Sequence, residues 1–323
     1  MISITRSGLN DVHSDHLAST SIGRRDFIKL TAAAGLASVL PASARENVRV
    51  MARRPIPGKD EDIPVIGLGT SNEFDELPAD GGKRLKAVLR TLLEHGGTLV
   101  DTAPAYGDSE RHLGRFFAEL ELLDDLFLST KVNERGKAAG LASMERSQEL
   151  LGKRPLDLMM VHSLVDAETQ LRNLREWKDN GRVRYIGVTT SRSSGFAEME
   201  SLIRSEKLDF IQVNYSPMET GAAKRVIPAA AEHGVAVMIN RAFGNGSYFD
   251  RLAGHALPAW TAEFGCESWA QLSLKYILGH PDVTCVLAAT SNPDHMEGNA
   301  RAGSGSLPDE PVRRRIVQFL HAL

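Results

Sequence analysis

Asp101, Tyr106, Lys131 and His162 each stand at, or just beyond, the end of a short apolar run. Asp101 closes Thr98-Leu99-Val100, Lys131 closes Leu126-Phe127-Leu128-Ser129-Thr130, and His162 closes Leu158-Met159-Met160-Val161. Tyr106 follows Asp101 by one short polar loop. A free tyrosine has a pKa of about 10 and is a poor acid at neutral pH. An adjacent ammonium favours the phenolate, and an aspartate beside that ammonium keeps it charged and fixed. A histidine can hold a substrate oxygen by hydrogen bonding. Such a set suits protonation of a carbonyl oxygen while hydride arrives at its carbon. No side chain supplies hydride, so the chemistry calls for a nicotinamide cofactor. Taken singly, each residue also has a structural explanation: a snorkelling lysine, a turn-capping aspartate, a packed tyrosine, a core histidine.

The elements that would bring the four together follow a regular alternation. Strands are expected at 65–69, 98–101, 126–131, 157–162, 184–188, 210–214, 235–240 and 283–288. The first seven begin roughly 25 to 33 residues apart, the size of one strand–helix unit. Their apolar runs do not alternate with polar residues, which fits strands buried on both faces. Between them, Leu171, Leu174 and Trp177 mark one face of a helix whose other face carries Arg172, Arg175 and Lys178. Asn180-Gly181 ends it, the glycine being free to turn left-handed. Ser109 reads as the N-cap of the helix after Tyr106. Eight such units predict a closed α/β barrel, a (β/α)8 TIM barrel forming one domain. In that fold the strand ends aim their polar residues at one mouth. The segment up to Ile63 reads as a hairpin or extended arm before the barrel. Gly67-Leu68-Gly69 starts a dinucleotide-type glycine turn but lacks its third glycine and an immediate helix. The span from Asn240 to Ser268, rich in Gly, Pro and aromatics, reads as a lid or pocket wall.

The chain has 323 residues, a formal net charge of −3 and 24% charged residues, ordinary values that give no reason to expect nucleic acid. Its two cysteines, Cys266 and Cys285, form no metal-type cluster and read as a free pair. Residues 1–44 read as a signal peptide. Arg24-Arg25 precedes the uncharged, alanine-rich stretch Leu30 to Leu40, and Ala42-Ser43-Ala44 supplies a cleavage site. The arginine pair resembles a twin-arginine export signal, with Gly23 where Ser or Thr is usual. The apolar stretch falls short of the roughly 20 residues a membrane span needs. The mature chain would then be residues 45–323, delivered by the twin-arginine machinery to the periplasm or beyond, or left in the cytoplasm if the signal is not used. That route carries folded proteins, which suits a cofactor loaded before export.

The motif Asp101-Thr102-Ala103-x-x-Tyr106-Gly107-x-Ser109-Glu110 resembles the signature of the aldo-keto reductases, and the similarity covers about residues 60 to 300. The resemblance implies a TIM barrel, an NADP-dependent oxidoreductase and a catalytic tetrad of Asp101, Tyr106, Lys131 and His162. Tyr106 would be the general acid, tuned by Lys131; Asp101 would pair with Lys131, and His162 would orient the carbonyl. It further implies cofactor contacts at Gly69, Thr70, Asp101, Thr189, Thr190, Gln212, Arg241, Phe243, Gly244, Thr290, His295 and Asn299. Several positions depart from the family pattern. Thr189-Thr190 replaces the usual Ser-Asn, and Asn240 replaces the aromatic residue that stacks on nicotinamide in many members. Ala289, His295 and Gly298 stand where basic, arginine and glutamate residues are usual. NADP is therefore the family default, with NAD as the alternative.

The expected activity is reduction of an aldehyde or ketone, with an open pocket walled by Tyr106, residues 71–75 and the loop after the seventh strand. The alternative is a sensor or partner subunit of the same fold that retains cofactor without turnover. A lyase or isomerase using the Tyr–Lys pair without cofactor is a third reading, opposed by Gln212 and Asn299.

Overall fold

The computed structural model describes residues 50–323. The signal segment expected over residues 1–44 lies outside them. A hairpin comes first, β1 (Arg53–Pro55) paired antiparallel with β2 (Asp62–Pro64). Eight parallel strands then alternate with helices. These are β3 (Ile66–Gly69), α1 (Lys83–Glu94), β4 (Leu99–Asp101), α2 (Ser109–Leu120), β5 (Phe127–Val132), α3 (Lys137–Leu151), β6 (Leu156–Val161) and α4 (Ala167–Asp179). They continue with β7 (Val183–Thr190), α5 (Phe196–Ser205), β8 (Phe210–Asn214), α6 (Val226–Glu232), β9 (Ala236–Asn240), α7 (Ser247–Leu252), α8 (Trp269–Leu278) and β10 (Cys285–Ala289). Helices α9 (Pro293–Ala302) and α10 (Glu310–His321) complete the chain. The barrel closes in the order β10-β3-β4-β5-β6-β7-β8-β9, as the strand spacing predicts.

Alternation along each strand divides the apolar residues into two clusters. Leu99, Phe127, Leu158, Met160, Tyr185, Phe210, Met238 and Leu287 fill the barrel interior. Their neighbours Val100, Leu128, Met159, Ile186, Ile211, Val237 and Val286 face the helices. This two-sided demand is why the strands read as unbroken apolar runs. Ile56 and Ile63, from the hairpin segment, join the interior cluster and plug the floor. The hairpin is tied down by Tyr185, whose hydroxyl donates to Glu61 Oε2 at 2.6 Å. Gly67 belongs to this packing: a Cβ there would lie 2.1 Å from Leu99 Cδ2. Its glycine makes room inside the barrel rather than a phosphate-binding turn.

The helices follow the expected period. Leu171, Leu174 and Trp177 are buried on α4. Gly181 takes φ +67°, and the Arg182 N–H reaches back to the Trp177 carbonyl at 2.9 Å. One end signal differs: Ser109 is the first residue of α2 and caps nothing, because Asp108 stands at the N-cap. The Ser109 hydroxyl is drawn inward and donates to Thr70 Oγ1 at 3.0 Å. Both cysteines are free and buried. The long span after β9 is not bare loop, since it contains α7 and a 3-10 segment at Ala259–Phe264. Its aromatics divide. Trp260 packs on Phe319 of α10, 6.3 Å between ring centroids, whereas Phe243 and Phe249 pair at 5.1 Å.

Candidate active site

Continuing the interior parity of each strand past its apolar residues gives the wall of the mouth. On β4, Leu99 leads to Asp101; on β5, Phe127 leads to Ser129 and Lys131; on β6, Leu158 and Met160 lead to His162. Lys131 is fully buried and its Nζ donates to Asp101 Oδ2 and to the Thr102 carbonyl, each at 2.7 Å. The same ammonium lies 5.0 Å from the centroid of the Tyr106 ring. Tyr106 in turn meets His162 edge to face, centroids 5.8 Å apart and planes at 89°. The four residues read from sequence therefore form one cluster.

Burial on its own would lower the Lys131 pKa, but the Asp101 carboxylate and the Tyr106 phenol outweigh it and hold the pKa above the ordinary lysine value. Lys131 is accordingly a permanent cation. Burial and then the Lys131 charge push His162 down to about 4, so its imidazole is neutral at physiological pH. The folded pKa lies below the ordinary 6.5, so between the two values the unfolded chain binds more protons. Stability contributed by this group is complete above pH 6.5 and is lost as pH falls toward 4, by about 3 kcal/mol in all. Urea midpoints measured from pH 7.5 to 4 should show this drop in the native protein. His162→Gln should remove that part of the slope, and an unchanged slope would show that His162 titrates normally.

Ser129 and Gln212 fix Asp101 in place. Its Oδ1 accepts from Ser129 Oγ at 2.8 Å and Gln212 Nε2 at 3.1 Å. A carboxylate only accepts, so it orients the Gln212 amide with its nitrogen inward. Gln212 Oε1 then receives the Thr189 hydroxyl at 3.1 Å and Asn240 Nδ2 at 3.3 Å. Thr189, Gln212 and Asn240 are thus one relay running from Asp101 to the rim. Asn240 occupies the place where stacking was expected, and it is the polar end of this relay. Interior parity from Met238 to Asn240 was the available signal.

The motif residues around Tyr106 hold the loop rather than face the mouth. Thr70 Oγ1 donates to the Asp101 carbonyl at 3.0 Å, and Ser109 links Thr70 to Thr102. Glu110 is buried and accepts from Thr130 Oγ1 at 2.6 Å and Ser147 Oγ at 3.2 Å. Its pKa is raised by burial. Gly69 ends β3 in register with Asp101 and Ala289. Phe74, expected in the pocket wall formed by residues 71–75, is instead fully buried in the core.

The remaining expected cofactor residues lie on the β7, β9 and β10 side. Arg241 adopts φ +53° and donates from Nη1 to the Ser191 carbonyl at 3.0 Å, beside Thr190. Gly244 follows at φ +54°. Phe243, Thr290, His295 and Asn299 all line a cavity of about 680 Å³ between α7, α8 and α9. The expected site residues thus fall into the cluster of Asp101, Tyr106, Lys131 and His162 and a second group on the β7, β9 and β10 side, part of which lines that cavity.

Residues 65–316 match the model of the aldo/keto reductase family. The chain is 28% identical over 262 residues to a 9,11-endoperoxide prostaglandin H2 reductase of Trypanosoma cruzi, covering 78% of this chain and 86% of that one. It is also 28% identical over 221 residues to a D-threo-aldose 1-dehydrogenase of Pseudomonas sp, covering 57% and 67%. Among solved structures it resembles an aldo-keto reductase from Klebsiella pneumoniae in complex with NADPH. That likeness has a TM-score of 0.71 and 24% identity, over 84% of this chain and 95% of that one. A second structure from that organism, in complex with NADP and acetate, gives a TM-score of 0.70 at 24% identity, over 82% and 94%. The chain belongs to the aldo/keto reductase family of NAD(P)H-dependent oxidoreductases.

Proposed function

We propose that the protein reduces the carbonyl of a small aldehyde or ketone, with Tyr106 as the general acid. The observation that carries this reading is the Tyr106 ring set between the buried Lys131–Asp101 pair and a neutral His162. The NADP and NADPH held by the two Klebsiella proteins support a nicotinamide dinucleotide as cofactor. The Asn299 side chain, which lines the flanking cavity, suits the adenosine end of such a molecule. When bound, that group supplies the hydride. Tyr106 gives its proton to the carbonyl oxygen as negative charge develops there, and Lys131 stabilises the phenolate left behind. Asp101 keeps the ammonium in place. His162, being neutral, offers an N–H to the carbonyl oxygen without adding charge.

The direct test is absorbance of NADPH and NADH at 340 nm with a panel of aldehydes and ketones. Carbonyl-dependent oxidation is expected. Retention of dinucleotide without turnover would move the protein to the sensor reading, and no binding of either nucleotide would end the oxidoreductase assignment.

Residues 1–44 are proposed as a twin-arginine signal, on the strength of Arg24-Arg25, the Leu30 to Leu40 stretch and Ala42-Ser43-Ala44. The N-terminus of the exported protein should begin after Ala44, and an Arg24→Lys/Arg25→Lys variant should stay in the cytoplasm. Export of that variant at the native level would refute the assignment.

A further inference from the structure

We propose that the cavity between α7, α8 and α9 selects NAD(H) over NADP(H), because it receives an adenosine with a free ribose diol and disfavours a 2′-phosphate. This rests on the reading above that the protein binds a nicotinamide dinucleotide, and it adds which one.

Asn299 shows that the cavity is built for a polar ligand. It is 3% exposed and lines the cavity, and its amide makes no hydrogen bond among the described residues. That amide lies at the cavity wall, where a ligand presenting one donor and one acceptor side by side satisfies both of its groups. The adenine N6 and N7 edge is such a pair.

The charge around that amide decides the rest. Glu267, Asp294 and Glu297 line the same cavity. The one permanent cation in that lining is Arg301. Arg301 is already engaged, its Nη2 lying 3.4 Å from Glu267 Oε1. The lining thus carries three carboxylates against one guanidinium, which is paired with one of the three. A phosphate monoester carries about −1.5 to −2 charges at pH 7, so a 2′-phosphate enters against a net negative field. A ribose 2′-hydroxyl is a donor, and a carboxylate is the acceptor that suits it, whereas a 2′-phosphate calls for arginine. Ala289, on the same wall, adds no charge. The proposal does not forbid NADP(H); it ranks the two dinucleotides.

The experiment is fluorescence titration of the full-length protein with NADH and NADPH, at low and at moderate salt. Both ligands share the diphosphate, so the ratio of their dissociation constants isolates the 2′-phosphate. The constant for NADPH should exceed that for NADH by roughly tenfold at low salt. The ratio should shrink as salt screens the repulsion. An Asp294→Asn/Glu297→Gln variant should bring it toward one, and adding Ala289→Lys should carry it toward NADPH. Asn299→Ala should weaken both ligands by a similar factor, because adenine is common to them. Tighter binding of NADPH, or a preference for NADH that grows with salt, would overturn the proposal while leaving the oxidoreductase reading intact. Failure to bind either dinucleotide would overturn both.

Discussion

Tyr106→Phe is expected to cut kcat by about 10²- to 10⁴-fold while leaving the dissociation constants for NADH and NADPH within a factor of about two. The substitution removes one hydroxyl and keeps the ring. The contacts seen from the ring are therefore preserved: the Lys131 ammonium 5.0 Å from its centroid and the His162 edge at 5.8 Å. In the proposed reading, cofactor affinity rests on groups elsewhere, on the β7, β9 and β10 side and in the cavity lined by Asn299. What disappears is the one phenol that contacts the buried cation among the described residues, and with it the proton proposed for the carbonyl oxygen. His162 does not replace it, because a group with a pKa near 4 carries almost no acidic proton at pH 7. The decisive measurement pairs single-turnover rates with titration of the same preparation. A variant that binds dinucleotide normally and turns over at the native rate would remove Tyr106 from proton transfer.

The barrel was legible because its cause is local and repeated. A strand buried on both faces has to be apolar throughout, so runs such as Leu158-Met159-Met160-Val161 announce themselves, as does the interval to the next one. That Asp101, Tyr106, Lys131 and His162 come together was legible for a related reason: a polar residue that ends an apolar run in a parallel barrel has one place to point. What surrounds Asp101 was not legible. Ser129 is an unremarkable serine within β5, and its bond to Asp101 depends on the register Asp101↔Ser129, which is a tertiary fact. Asn240 looked like a loss when compared with a stacking aromatic. In three dimensions it ends the hydrogen-bond relay that Asp101 begins through Gln212. Ser109 misled in the opposite direction. Its type and position fit a helix cap, but the inward pull of Thr70 and Thr102 decides its orientation. The long span after β9 hid two helical segments because its glycines and prolines break the period on which helices are recognised.

Lys131→Met should be the most destabilising single change in the mouth, by about 3–5 kcal/mol, a large fraction of the 5–15 kcal/mol typical of a whole domain. Methionine fills much of the same space, so the loss is electrostatic. The native Nζ serves Asp101 Oδ2 and the Thr102 carbonyl at 2.7 Å with no exposure to water. Without it, the Asp101 carboxylate is still buried, with Ser129 and Gln212 as its remaining donors. An unpaired buried carboxylate has its pKa raised above the unfolded value, so protonation on acidification stabilises the fold. The stability gap between native and variant should therefore narrow as pH falls through that raised pKa and reopen as pH rises. A second substitution separates charge from packing. Lys131→Met/Asp101→Asn has no buried charge at this point, and its urea midpoint at pH 7 should recover most of the lost stability, a strongly non-additive cycle. Activity should not recover, because neither variant has a cation to stabilise the Tyr106 phenolate. If the double variant is no more stable than Lys131→Met, the cost lies in packing and the account of the pair is wrong. If Lys131→Met keeps native turnover, the ammonium does not tune Tyr106, and the proton must reach the carbonyl by another route.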